Sequence, residues 1–238
     1  MRIALVVTGL VLLVAGCSAE APAAAPKQSS APPSSSAPPP VAGDLTKHLP
    51  SGDELTKAGL AVGRDRLPYV VGPNTPLRIV RACGVDQPWD AAVRNGAQAY
   101  STKDTLWIRQ RLAEYAGYTG SQVVSGLDKA LGCGKTVSGD HDLAFVSRFS
   151  SHGKGLPEDA ELTVKTRFSV PGTGDPQLGF CGQFAEARMA SCVLVLAHGN
   201  RVLAVTTTDR QPGQASMAAQ QAELTRLAPT FVAAFDQD

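Results

Sequence analysis

Metal-binding spacing is missing from this chain: its five cysteines and four histidines form no Cys-x-x-Cys or His-x-x-x-His pair. That removes the usual signature of a zinc site. No Gly-x-Ser-x-Gly elbow is present, so acyl transfer has no evident nucleophile. Charge of one sign is also lacking, with 22 basic against 21 acidic side chains. Without a basic run, neither nucleic acid nor an acidic polymer is an expected partner. Aromatics make up only 5% of the residues. The longest apolar run, Ile3 to Val14, is shorter than the roughly 20 residues a spanning helix needs.

That run has another use. One positive charge, Arg2, followed by a short apolar stretch is the layout of a secretory signal peptide. The junction Val14-Ala15-Gly16-Cys17 resembles a lipobox, in which small residues admit the peptidase and the Cys17 thiol takes a diacylglyceryl thioether. Lipidation at Cys17 is therefore expected, placing the protein on the extracytoplasmic face of the cell membrane with the lipid bilayer as its first partner. At about 0.8 kcal/mol per buried methylene, two or three acyl chains anchor permanently.

Residues 1–17 thus read as leader and lipobox. Ser18 to Gly43 is rich in Ala, Pro and Ser, ending in Ser34-Ser35-Ser36-Ala37-Pro38-Pro39-Pro40. Such a segment has too little to bury to repay ordering and is expected to be a disordered tether. Extended at about 3.1 Å per residue, it reaches roughly 80 Å. Residues 44–238 are the size of one domain, large enough to fold without a metal. Loss of Arg2 with the leader leaves the mature chain neutral.

Four cysteines follow Cys17: Cys83, Cys133, Cys181 and Cys192. In an exported chain they imply two disulfides, with three connectivities that sequence order alone does not decide. The preferred pairing is Cys83–Cys133 with Cys181–Cys192. The second follows from the clearest local signal in the chain. Cys192 to Ala197 and Val202 to Thr207 are β-branched apolar runs separated by His198-Gly199-Asn200-Arg201, a hairpin whose continuous apolar character places it centrally in a sheet. Phe180-Cys181 precedes it and can pair back beside Cys192.

Elsewhere, Ser51-Gly52-Asp53-Glu54 is a capping box opening a helix over 52–58. Strands are expected at Leu77–Ala82, Ala91–Ser101, Asp142–Phe149 and Glu161–Val170. Leu106–Tyr115 alternates Trp107, Arg109 and Arg111 against Ile108, Gln110 and Leu112, and fits a strand or a helix start. Ser121 is placed as the cap of a helix ending at Gly132-Cys133-Gly134, with Val123, Val124, Leu127, Ala130 and Leu131 at helical spacing. A last helix, Gln214 to Phe235, points Met217, Leu224, Leu227, Phe231 and Phe235 inward and is expected to kink at Pro229. The sum is an α+β domain, a mostly antiparallel sheet with flanking helices.

In the order of these parts the chain resembles the PknH-like extracellular sensor domain. The parts are the helix around Glu54-Leu55-Thr56-Lys57, Ala82-Cys83-Gly84, Trp107, Leu131-Gly132-Cys133-Gly134-Lys135-Thr136, the Cys192 hairpin and the final Ala/Gln-rich helix. The resemblance implies a sheet with helices and a cleft for an extracellular ligand, with no catalytic residues. The family's last cysteine falls near where Thr206 stands here, whereas this chain carries Cys181, so the second pairing rests on the hairpin alone.

Other groups that invite chemistry are weaker. Gly134-Lys135-Thr136 lacks the glycine a phosphate loop needs, since Lys129 stands there. Asp140-His141-Asp142, His152 and His198 lie in loop contexts, His48 lies near the tether, and Glu158-Asp159 with Glu161 reads as a turn before a strand. Trp89, Tyr100, Trp107, Tyr115 and Tyr118 fall in the middle third and either line an apolar cleft or fill the core, the core being the commoner place for any one of them; Trp107, Tyr115 and Tyr118 are the candidate lining of a ligand cleft. The expectation is a non-enzymatic, cofactor-free binding lipoprotein with a small apolar or amphipathic ligand. A docking module for another envelope protein is the alternative, and a cell-wall hydrolase the third.

Overall fold

The structure, a computed structural model, describes residues 43–62, 69–71 (backbone only), 77–137, 160–174, 176–184, 189–209, 213 and 215–237. Cys17, the tether, Asp140-His141-Asp142, His152, Glu158-Asp159 and the expected strand Asp142–Phe149 lie outside these residues. Residues 41–238 pack as one unit.

Eight strands form one antiparallel sheet in the order β1-β2-β3-β8-β7-β6-β5-β4. They are β1 (Tyr69–Val71), β2 (Val93–Lys103), β3 (Leu106–Tyr115), β4 (Lys135–Val137), β5 (Glu161–Phe168), β6 (Gln177–Phe184), β7 (Met189–His198) and β8 (Arg201–Asp209). The β7–β8 hairpin takes the two central places, as its unbroken apolar runs require. A strand covered on both faces has no solvent side on which to alternate polar residues. Gly199, at φ 57°, supplies the left-handed first position of the two-residue turn. Leu106–Tyr115 is wholly strand, paired with β2 on one side and β8 on the other.

Alternation along the strands divides the core in two. On one face Ala113, Tyr115, Val193, Val195, Val202 and Ala204 pack with Val123, Val124 and Leu127 of helix α2 (Gly120–Ala130). On the other, Ile108, Leu112, Leu194, Leu196, Leu203 and Val205 pack with Leu224, Leu227 and Phe231 of helix α3 (Met217–Phe235). Leu45 and Leu49, flanking the 3-10 turn Leu45–His48, and Leu55 of helix α1 (Gly52–Lys57) complete this second core.

The expected capping box on α1 is formed: Glu54 N–H donates to Ser51 Oγ at 3.3 Å and Ser51 N–H to Glu54 Oε2 at 2.7 Å. For α2 the cap moves two residues upstream. Thr119 is extended and Gln122, three residues on, closes the box, which leaves Ser121 inside the first turn. Ser216 caps α3, which runs unbroken through Pro229. The strand expected at Leu77–Ala82 is not one; only Ala82 bridges to Thr136. Leu77, Ile79 and Val80 are all buried. The segment instead lies in the first core, and the Arg78 carbonyl accepts from Arg111 Nη1 at 2.8 Å in place of a ladder bond.

Two disulfides are present. Cys181 and Cys192 face each other across β6 and β7, with Cα atoms 4.0 Å apart and both residues fully buried. Cys83 and Cys133 tie the loop after Ala82 to the 3-10 turn that ends α2.

Candidate functional site

On the face shared with α2, the outer part of the sheet changes character. Trp107, Arg109 and Arg111 occupy alternate positions of β3, and the pairing sets Thr102, Tyr100 and Gln98 of β2 directly across from them. Thr208 and Thr206 of β8 stand on the other side of Trp107 and Arg109. Side chains at alternate positions of paired strands share one surface, so these residues make a single band.

Arg109 is its centre. Its Nη2 and Nε donate to Gln98 Oε1 at 2.9 and 3.3 Å, and the same oxygen accepts from the Tyr100 hydroxyl at 3.3 Å. The guanidinium carbon lies 5.4 Å from the Tyr100 ring centroid, within cation–π range. Trp107 and Tyr100 are buried and Arg109 is half-buried. An indole, a phenol and two guanidiniums on one sheet face combine apolar area with fixed positive charge. That pairing of properties suits an amphipathic molecule with an anionic group.

The other sequence-derived aromatics lie elsewhere. Eight residues along β3 separate Trp107 from Tyr115, about 27 Å at roughly 3.4 Å per residue. Tyr115 is buried under α2; burial, and then the charge of Asp90, pushes its hydroxyl far above the ordinary tyrosine value. That hydroxyl has no hydrogen-bond partner among the described residues. Tyr118 is partly buried against the same core. The three therefore do not form one wall. Sequence reading grouped Tyr100 with Trp107 but missed Gln98 and Arg109 as their companions. The alternation within β3 was visible, but only the β2–β3 pairing reveals what it faces.

A cleft of about 500 Å³ lies at another corner, lined by Thr46, Lys47, Leu49, Ser51, Glu54, Ala234 and Gln237 among others. Its size falls in the range of small-molecule sites, roughly 300–1,000 Å³, but no aromatic among the described residues lines it. Among the described residues no three or more His, Cys, Asp or Glu gather as a metal site would require. Among the same residues no helix is long and apolar enough to cross a membrane. Lys135 of the Gly-Lys-Thr sequence pairs with Glu161 at 2.7 Å, and His198 with Asp236 at 3.1 Å.

No family model matches the chain, and no curated protein matches it. Among solved structures it is similar to the extracellular domain of PknH from Mycobacterium tuberculosis, at 12% identity and a TM-score of 0.48, covering 84% of this chain and 98% of that one. It is also similar to an uncharacterised protein from Mycobacterium smegmatis, the Rv0999 ortholog, at 13% identity and a TM-score of 0.40, covering 81% and 96%.

Proposed function

We propose that this protein is an extracytoplasmic binding lipoprotein, anchored through Cys17, whose folded domain holds a small amphipathic ligand against the Trp107–Arg109–Tyr100 band. The observation that carries the reading is the band itself. A buried indole beside a guanidinium already oriented by Gln98 and Tyr100 is pre-organised for a ligand with an apolar body and an anionic end. Two disulfides, one sealed in the core, fit a chain that folds in an oxidising compartment.

Organic extraction of the purified protein followed by mass spectrometry tests the proposal. An amphipathic compound should be recovered from the wild type and lost from Trp107→Phe and Arg109→Gln variants whose melting temperatures are unchanged. Folded wild-type protein that carries nothing, and that shows no shift in native mass on incubation with envelope lipids, refutes it. A released or unprocessed Cys17→Ala protein would support the anchor, and a processed, membrane-bound one would refute it.

A further inference from the structure

The corner where the domain begins contains a buried histidine in an unusual setting. Residues 43–49 dock on the domain at several points. Leu45 and Leu49 enter the second core, and Asn95 Nδ2 donates to the Gly43 carbonyl. Asp44 caps the 3-10 turn through Thr46. At the far end of the turn His48 is only 3% exposed, although nothing in its local sequence marks it as a core residue.

His48 meets a cation. The Arg201 guanidinium, from the first residue of β8, lies directly against the His48 imidazole. The same guanidinium reaches the Gln237 carbonyl at 3.4 and 3.5 Å, and its carbon lies 5.9 Å from the Phe235 ring centroid. Arg201 is thus held by the end of α3 while it faces the imidazole. The other charged groups around the ring are Lys47 on its own turn and Glu114 on β3, the one acid whose charge favours a proton on His48. Asn200 Nδ2 donates to Glu114 at 3.3 Å. Asp236 pairs instead with His198, whose ring packs edge-on to Phe235.

A neutral imidazole fits this corner and an imidazolium does not. Protonation would bury a second positive charge against Arg201, which cannot give up its own. Burial and then Arg201 and Lys47 hold His48 below the ordinary histidine value of 6.5, outweighing the Gln237 carbonyl and Glu114, which favour the proton. Unlike Arg201, the 43–49 segment can leave without dismantling the sheet. Its lining residues Thr46, Lys47 and Leu49 already border the open cleft of about 500 Å³.

We propose that residues 43–49 form a pH-released latch, docked while His48 is neutral and let go when its imidazole takes a proton. Release frees about seven residues, adding roughly 20 Å of reach to the chain N-terminal to the domain. It also uncovers Leu45 and Leu49. The latch follows from the corner's geometry alone and does not depend on the ligand or anchor proposed above.

The sign follows from linkage. The docked form binds the proton less well than the released form, so opening becomes more favourable as pH falls from 6.5 toward the docked value. The gain is about tenfold for each unit separating the two. The experiment is amide hydrogen exchange on the mature protein between pH 7.5 and 5.0, corrected for intrinsic rates, together with an NMR titration of its four histidines. The amides of 45–49 should lose protection on acidification while those of β7 and β8 keep theirs, and the His48 ring should titrate below 6.5. His48→Gln should abolish the pH response, and His198→Gln should retain it. A His48 ring titrating at or above 6.5, or protection of 45–49 that does not change with pH, overturns the latch. Both readings come from wild-type protein, so they decide even where His48→Gln folds poorly.

Discussion

Gln110 sits at the centre of β3 with its side chain on the face toward α3, among Ile108, Leu112 and, across the sheet, Ala99 and Val205. It is fully buried, and neither its amide nitrogen nor its amide oxygen has a partner among the described residues. Mutational data put the cost of such an unpaired polar group at about 1–3 kcal/mol. Methionine has nearly the same length and no such requirement, and it bends to fit an irregular gap. Gln110→Met should therefore stabilise the domain by about 1–3 kcal/mol. For a domain of this size each kcal/mol moves the melting temperature by about 2–4 °C, so a rise of roughly 2–12 °C is expected. Urea unfolding of the oxidised protein, read by tryptophan fluorescence and circular dichroism, should show a higher midpoint with an unchanged slope. A loss of more than about 1 kcal/mol would refute the reasoning, since it would show that the amide is hydrogen-bonded in solution.

Further outcomes are expected from the helix packing, the disulfides and Asp209. A Cβ on Gly126 of α2 would lie 2.4 Å from the Trp89 ring, so Gly126→Ala should cost about 1–3 kcal/mol by thermal unfolding despite its better helix propensity. Gly132, with open space around it, serves as the control and should tolerate alanine. Under mild dithiol, Cys83–Cys133 should reduce first, because Cys133 is exposed while Cys181 and Cys192 are fully buried; alkylation and peptide mapping give the order. Loss of either bridge should destabilise, by about 4 kcal/mol for the 50-residue closure and about 3 kcal/mol for the 11-residue one. Burial raises Asp209 above the usual carboxylate value, although the amides of Ala190 and Ala215 donate to it. The folded form thus holds this proton more tightly. Asp209's contribution to stability should fall as pH rises from about 3.9 through its folded value, and acid titration of stability in wild type and Asp209→Asn checks this.

What was legible in the sequence was whatever local chemistry decides. The β7–β8 hairpin follows from Gly199-Asn200 between two apolar runs, and Cys181 opposite Cys192 follows once β6 pairs back on β7. Ser51 and Glu54 announce α1 unaided. The errors came where a distant residue decides. Leu77–Ala82 has strand-like residues, but its carbonyl at Arg78 is satisfied by a side chain 33 residues away, so no strand partner is needed. At α2, Thr119 and Ser121 are both able to cap, and Gln122 settles the matter by standing three residues after Thr119.

The candidate site shows the same division more sharply. Trp107 was selected for being aromatic and its companions for being near it in sequence, yet proximity along a strand is not proximity in space. Tyr115 and Tyr118 ended beneath α2, while the partners of Trp107 came from the neighbouring strand at positions fixed by pairing register. Arg109 shows why the difference matters for chemistry. Alone on β3 it would be a solvated cation on a flexible stem, indistinguishable in sequence from Arg94 or Arg167. Gln98 and Tyr100, eleven and nine residues upstream, turn it into an oriented one. His48 and Arg201, 153 residues apart, are the limiting case: neither has a local motif, and their juxtaposition exists only because the domain's first turn closes against the tip of its central hairpin. The roles proposed for Arg109 and His48 therefore rest on partners distant in sequence, and adding the partner's substitution to each single variant measures how far the two residues act together.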